Sequence, residues 1–317
     1  MCGASNLRVV ALAGGVGAAR FLSGLVQVVP PEDVTAIVNT GDDREFFGLR
    51  VCPDLDIVTY TLAGVVRQET GWGLEGDHFE CLEALRRFRD DAWFALGDRD
   101  LATHIHRSDR LRRGASLREV SAEIARAFGV RTRLLPMTED PAPTRVVCHD
   151  GRALDFEEYL VREGAPDDLR AVDLSAAQAA RAGEQVLEAI RGARHLLICP
   201  SNPVVSIGTI RAIPEIERAL RARADAVAVS PLIGGAPVKG PADRLLRAIG
   251  SEVSCVGVSQ LYRDIARGIV IDRVDEAEAA RIRALGLEPR IEETLMRTPQ
   301  IAARLARAAL ELSEELR

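Results

Sequence analysis

The apolar run Leu7-Arg-Val-Val-Ala-Leu-Ala13 empties into Gly14-Gly-Val-Gly17. Apolar residues then recur at helical spacing from Ala18 to Val28, and a second apolar run covers Val34 to Asn39. Strand, tight turn, helix and buried strand make the β-turn-α-β unit from which parallel sheets are built. An α/β fold around a parallel sheet is therefore expected. With 317 residues, 47% of them hydrophobic, the chain can bury a large core, as one domain or as a main domain with a smaller insertion.

Further along, Ile57 to Arg67 reads as a helix, and the polar stretch Gly71-Trp-Gly-Leu-Glu-Gly76 breaks the pattern. Residues 77–175 are richer in charge. Short helices are expected at Phe79 to Phe88, Leu101 to Arg107 and Leu117 to Phe128, with strands near Arg133 to Leu135 and Arg145 to Cys148. We read this span as an inserted α+β subdomain between two parts of the core, 1–76 and 176–317. A single amphipathic helix is expected from Ala176 to Arg191. Buried strands follow at His195 to Cys199, Asp225 to Ser230 and Gly268 to Asp272, and a last helix at Pro299 to Leu316.

The chemistry gathers behind the second strand, where Asn39-Thr-Gly-Asp-Asp43 and Cys52-Pro-Asp-Leu-Asp56 crowd carboxylates at the carboxyl edge of the sheet. Open α/β sheets bind ligands at that edge. Two unit charges about 4 Å apart repel by roughly 4 kcal/mol at an effective dielectric near 20, so a bound cation or a shared proton is expected. Oxygen-only ligands suit Mg²⁺, with Asp42 and Asp43 the candidate ligands. The plainer alternative makes some of these residues turn formers, with Asp56 capping the Ile57 helix.

Three other loops carry polar chemistry. Gly14, Gly15, Val16 and Gly17 bring bare backbone and a helix start to where a phosphate could sit, although Arg20 breaks the dinucleotide fingerprint. Cys199-Pro-Ser-Asn-Pro-Val-Val-Ser-Ile-Gly208 is stiffened by Pro203 and offers Ser201, Asn202 and Ser206 to a nucleotide; a self-satisfied Asx or Ser turn is the alternative. Ser230 to Pro241 is glycine-rich and holds Lys239, the only lysine, as a diphosphate contact, a lid or a surface residue. Trp72 could stack on a flat ring or sit at the edge of the core, and Asp98, Arg99 or Thr103 could join a substrate wall or belong to a capped helix with an internal Asp/Arg pair; His104 and His106 read as packing or surface residues.

Composition excludes several classes. A net charge of −6 with dispersed arginines provides no basic field for nucleic acid. The opening apolar run is too short for a membrane span and leads into glycines, so we expect no signal peptide, no anchor and a cytoplasmic protein. Cys2, Cys52, Cys81, Cys148, Cys199 and Cys255 show no paired spacing and are expected to be reduced and mostly buried.

Taken in order, Gly14-Gly-Val-Gly-Ala-Ala-Arg-Phe-Leu22, Asn39-Thr-Gly-Asp-Asp43, Cys52-Pro-Asp-Leu-Asp56, Gly71-Trp-Gly73, Leu96-Gly-Asp-Arg-Asp-Leu-Ala-Thr-His104, Pro200-Ser-Asn-Pro-Val-Val-Ser-Ile-Gly208 and Ser230-Pro-Leu-Ile-Gly-Gly-Ala-Pro237 resemble the 2-phospho-L-lactate transferase family of coenzyme F420 biosynthesis. The resemblance spans most of the chain. It implies a Rossmann-like core, usually dimeric, that binds a GDP-linked three-carbon phospho acid and the deazaflavin Fo. A ribityl hydroxyl of Fo would attack the phosphorus bonded to the acid, with Mg²⁺ assisting and GMP leaving. Carried over by position, Asp42 is the metal ligand with Asp43 beside it, and Asp56 faces Fo, with Asp54, Trp72 and Asp98 nearby. By the same resemblance Gly15 to Gly17, Ser201 and Asn202 would hold the nucleotide. Lys239 and Ala95 stand where relatives often carry other side chains. Either Asp43 or Asp56 could take the hydroxyl proton. The absence of a Ser-His-Asp or Cys-His arrangement points to direct transfer. The rivals are a non-catalytic nucleotide or nucleotide-sugar binding regulator on the same fold and, less favoured by the broken fingerprint, a nicotinamide-dependent oxidoreductase. No motif separates lactate, enolpyruvate and glycerate phosphates.

Overall fold

A computed structural model describes residues 8–317, so Cys2 and Leu7 lie outside the described residues. Seven parallel strands form the central sheet in the order 288–292, 266–272, 226–229, 195–198, 9–13, 34–38 and 133–136. Every residue of Val9–Ala13 is buried. Its side chains alternate between two cores, Val10 and Leu12 on one face and Val9, Ala11 and Ala13 on the other. A strand covered on both faces cannot alternate apolar with polar, which explains the uninterrupted apolar runs. Helices Gly15–Leu25, Pro53–Leu62, Leu117–Ala127 and Pro299–Glu315 cover the second face. The first face is covered by helices such as Val186–Gly192 and Ala242–Ala248, and by a small antiparallel sheet of 145–148, 153–155 and 169–173.

Several expectations need correction. Arg133–Pro136 pairs with Val34–Val38 as an edge strand of the main sheet and is not part of a separate small sheet. The first helix begins at Gly15, so Gly15 to Gly17 form its opening turn. The acidic helix begins at Pro53, behind Cys52, so Asp56 lies inside it and cannot cap it. The expected helix at 176–191 is two pieces, Ser175–Ala179 and Val186–Gly192. Between them Arg181, Ala182 and Gly183 donate backbone N–H groups to Asp140, Glu215 and the Met137 carbonyl. Those tertiary partners replace the helical hydrogen bonds. The short strand Glu288–Glu292 and helix Cys255–Tyr262 had no clear signature in the sequence. Among the described residues the five cysteines are free, with only Cys81 exposed, and no helix is long and apolar enough to cross a membrane.

Candidate functional site

The chain leaves Val9–Ala13 toward 34–38 on one side, while 195–198 pairs on the other. That reversal of strand order opens a crevice beyond the carboxyl ends of the two central strands. The two loops leaving these strands meet there, where the Gly14 N–H donates to Ser201 Oγ at 3.1 Å. A Cβ on Gly17 would come within 2.2 Å of the Pro200 carbonyl oxygen, so the helix can approach the second loop only with glycine at that position. Gly15 has φ +72°, a left-handed conformation favouring glycine, and its N–H donates to Asp54 Oδ1 at 2.7 Å. Gly14 to Gly17 and Ser201, Asn202 and Ser206 all line one cavity of about 530 Å³. Pro203 does not line it and is buried. The Asn202 side-chain oxygen accepts from Val204 N–H at 3.0 Å and Val205 N–H at 3.2 Å, which is the Asx turn; its amide nitrogen makes no hydrogen bond with a described residue.

The acidic corner is built around Asn39, a residue with no assigned role in the sequence reading. Its Nδ2 donates to Asp42 Oδ2 at 3.2 Å and Asp54 Oδ2 at 2.9 Å, while its oxygen accepts from the Gly41 N–H at 2.9 Å. Between the aspartates the chain makes a hairpin, Arg44–Phe46 against Leu49–Val51, with Phe47 and Gly48 both at positive φ in its turn. This excursion brings Asp54 back to Asp42. Asp42 Oδ1 is buried with no hydrogen-bond partner among the described residues. Burial, then the charges of Asp54, Glu157 and Asp43, push the Asp42 pKa well above the usual carboxylate range. Burial likewise raises Asp54 to about 6 and Glu157 to about 7. Asp43 is turned away from the cavity toward Arg50, 3.3 Å distant, and burial raises it to about 7 despite that arginine.

Asp56 lines the cavity, but both its oxygens are held by the buried guanidinium of Arg107, with Nη1 at 3.1 Å from Oδ2 and Nη2 on Oδ1. Arg107 also donates to His104 Nδ1 at 3.2 Å, and His104 Nε2 lies 3.4 Å from Asp100, which accepts from the Tyr60 hydroxyl at 2.6 Å. The sequence does carry a signal for this network. Asp100, Thr103, His104, Arg107 and Ser108 are the buried residues of helix Asp100–Arg112, a helical stripe that is polar where a core stripe is apolar.

The rest of the cavity is mainly apolar, with Ile57, Phe94, Leu96, Phe156, Leu160 and Met296 among its walls and Trp72 at the rim, 36% exposed. Lys239 also lines it and donates to the Thr70 carbonyl, joining the glycine-rich loop to the Trp72 loop. Asp98 is absent from the lining. It accepts from the Glu80 and Cys81 N–H groups and so caps helix Glu80–Leu85. Glu157, which the sequence reading passed over, does line the cavity.

The model of the family 2-phospho-L-lactate transferase CofD matches residues 9–298. The chain belongs to this family. It is 44% identical to a phosphoenolpyruvate transferase of Kitasatospora aureofaciens over 98% of this chain and 99% of that one. It is 36% identical to a 2-phospho-L-lactate transferase of Methanosarcina mazei over 94% of this chain and 97% of that one. A Bacillus halodurans crystal structure described as a member of the upf0052 family superposes with a TM-score of 0.62 over 96% of this chain and 98% of that one, at 18% identity, which speaks for the fold alone. This transferase of F420 biosynthesis thus carries the α/β architecture expected of it, with small-molecule substrates.

Proposed function

We propose that the protein transfers a phosphoenolpyruvate-derived group from its GDP-linked form to the terminal ribityl hydroxyl of Fo, releasing GMP. The observation that carries this reading is the meeting, in one cavity at the strand-order reversal, of an open helix turn, a carboxylate with an unpartnered oxygen and a long apolar wall. The helix turn and the Ser201 loop suit a diphosphate, and the apolar wall with Trp72 suits a flat ring system. Enolpyruvate is favoured over lactate by the higher identity to relatives named phosphoenolpyruvate transferases.

Phosphoryl transfer asks the protein mainly for in-line positioning and charge neutralisation. The orphaned buried Asp42 Oδ1 fits a divalent cation, with Asn39 holding the other oxygen in place. Bound Mg²⁺ would offset negative charge on the phosphoryl oxygens. Asp54 has both oxygens occupied and braces the helix turn against the acidic corner. Asp56 is held in place at the cavity wall by Arg107 on both oxygens.

Incubation of the purified protein with Fo, Mg²⁺ and each guanylylated acid in turn, followed by mass spectrometry, tests the reading. The expected outcome is GMP and the dehydro form of the diester, formed fastest from the enolpyruvate donor. Faster turnover with the lactate donor would reassign the acid. Nucleotide binding without any product or any quenching of Fo fluorescence would favour the non-catalytic regulator.

A further inference from the structure

We propose that Glu157 is the catalytic base that takes the proton from the attacking Fo hydroxyl, an inference that rests on the transfer reaction proposed above. Five acidic residues line the cavity: Asp42, Asp54, Asp56, Asp100 and Glu157. Four are already engaged. Asp54 accepts from Gly15 and Asn39, Asp56 from Arg107 on both oxygens, Asp100 from Tyr60, and Asp42 from Asn39 with its free oxygen suited to the cation. Glu157 is equally buried, at 9% exposed, and makes no hydrogen bond or ion pair with any described residue. A buried carboxylate without a partner is costly, and one that faces a substrate cavity is a candidate for proton transfer to the substrate.

Its position suits that role. Glu157 belongs to the same chain segment as Phe156 and Leu160 of the apolar wall, and it lines one cavity with them and with Asp42 of the acidic corner. It therefore stands at the seam where a ring lying on the wall would present a side-chain hydroxyl to the phosphorus. Arg44 of the hairpin pairs with the flanking residues Asp155 at 3.2 Å and Glu158 at 3.7 Å, tying this segment to the hairpin that follows Asp43. The charged groups acting on Glu157 are Asp54 and Asp42, which favour its protonated form, and Arg44, which opposes it. In the step, the hydroxyl proton passes to the Glu157 carboxylate as the oxygen forms its bond to the phosphorus carrying the acid. The anhydride P–O bond to GMP breaks, and its electron pair leaves on the GMP phosphate.

Glu157→Gln keeps the shape and removes the base. Its steady-state kinetics, Fo binding by fluorescence and metal affinity by Mn²⁺ titration form the test, with thermal melting to confirm the fold. The expected result is a fall in kcat of about 100-fold, with both KM values, Fo affinity and Mn²⁺ affinity changed by less than about twofold. Glu157→Asp, which retains a shorter carboxylate, should recover part of the loss, and carries the same comparison if the glutamine variant folds poorly. A Glu157→Gln enzyme within about threefold of wild-type kcat would overturn the proposal, as would a loss matched by weaker Mn²⁺ binding, which would make Glu157 an ion ligand. Wild-type protein that quenches no Fo fluorescence and releases no GMP would bring down the functional reading itself, and this inference with it.

Discussion

Asp42 holds one oxygen against Asn39 and leaves the other buried and unpartnered, with Asp54 and Glu157 adding their charge. For Asp42→Asn we expect at least about 100-fold lower transfer, because the cation proposed to offset charge at the phosphorus would lose its anchor. The same variant should melt no lower than wild type without metal and should lose the Mg²⁺-induced rise in Tm. A wild-type response to Mg²⁺ in that variant would remove Asp42 from the cation site. Arg107 poses the opposite problem, since it is the counter-charge that makes buried Asp56 tolerable. Arg107→Met should cost about 3–5 kcal/mol in urea denaturation by stranding that carboxylate, and the double variant Asp56→Leu/Arg107→Met should recover most of the stability without recovering activity. Equal losses in the single and double variants would show that the pair is not the source of the cost.

Among the elements, the first helix packs against the second loop at the cavity only because Gly17 brings no side chain to the Pro200 carbonyl. Gly17→Ala should cost about 1–3 kcal/mol and, on the proposed function, weaken GDP binding in calorimetry by pushing the helix start off the second loop. Gly192→Ala is the control: its nearest neighbour is Arg8 Nη1 at 3.8 Å and it closes a helix, so the change should stay within about 1 kcal/mol. Comparable losses in both would refute the steric account. The strand–turn–helix opening could be read from the sequence because apolar runs and glycine punctuation are local signals. The polar stripe of Asp100–Arg112 is present in the sequence, but the burial of Arg107 becomes legible only when Asp56 arrives from another helix. The break at 180–185 was not legible at all, since its cause lies in Asp140, Glu215 and the end of the edge strand.

At the scale of the whole molecule, the buried acids couple folding to pH. Asp54 at about 6 and Asp43 and Glu157 at about 7 bind protons more tightly when folded than a free carboxylate does. Between about pH 4 and about pH 7 the folded state therefore holds more protons than the unfolded chain, so the stability these groups contribute is full at the acid end and is lost as pH rises. Metal-free protein should show a falling Tm from about pH 5 to about pH 8 from these groups, and saturating Mg²⁺ should flatten the decline by compensating the ionised corner. A Tm that climbs across that window, with no effect of Mg²⁺, would contradict the coupling. The sequence alone determined the parallel sheet, the glycine turn and the presence of carboxylates at the sheet edge, because burial on both faces, φ above zero and strand polarity are imposed residue by residue. Only the tertiary structure decided which acids face the cavity. Asp43 and Asp98 turn to other partners, Asp56 is claimed by Arg107, and Glu157 enters from a distant segment. The free energy of a buried charge depends on the groups that surround it in space, and for this cluster the chain brings those groups together only when it folds.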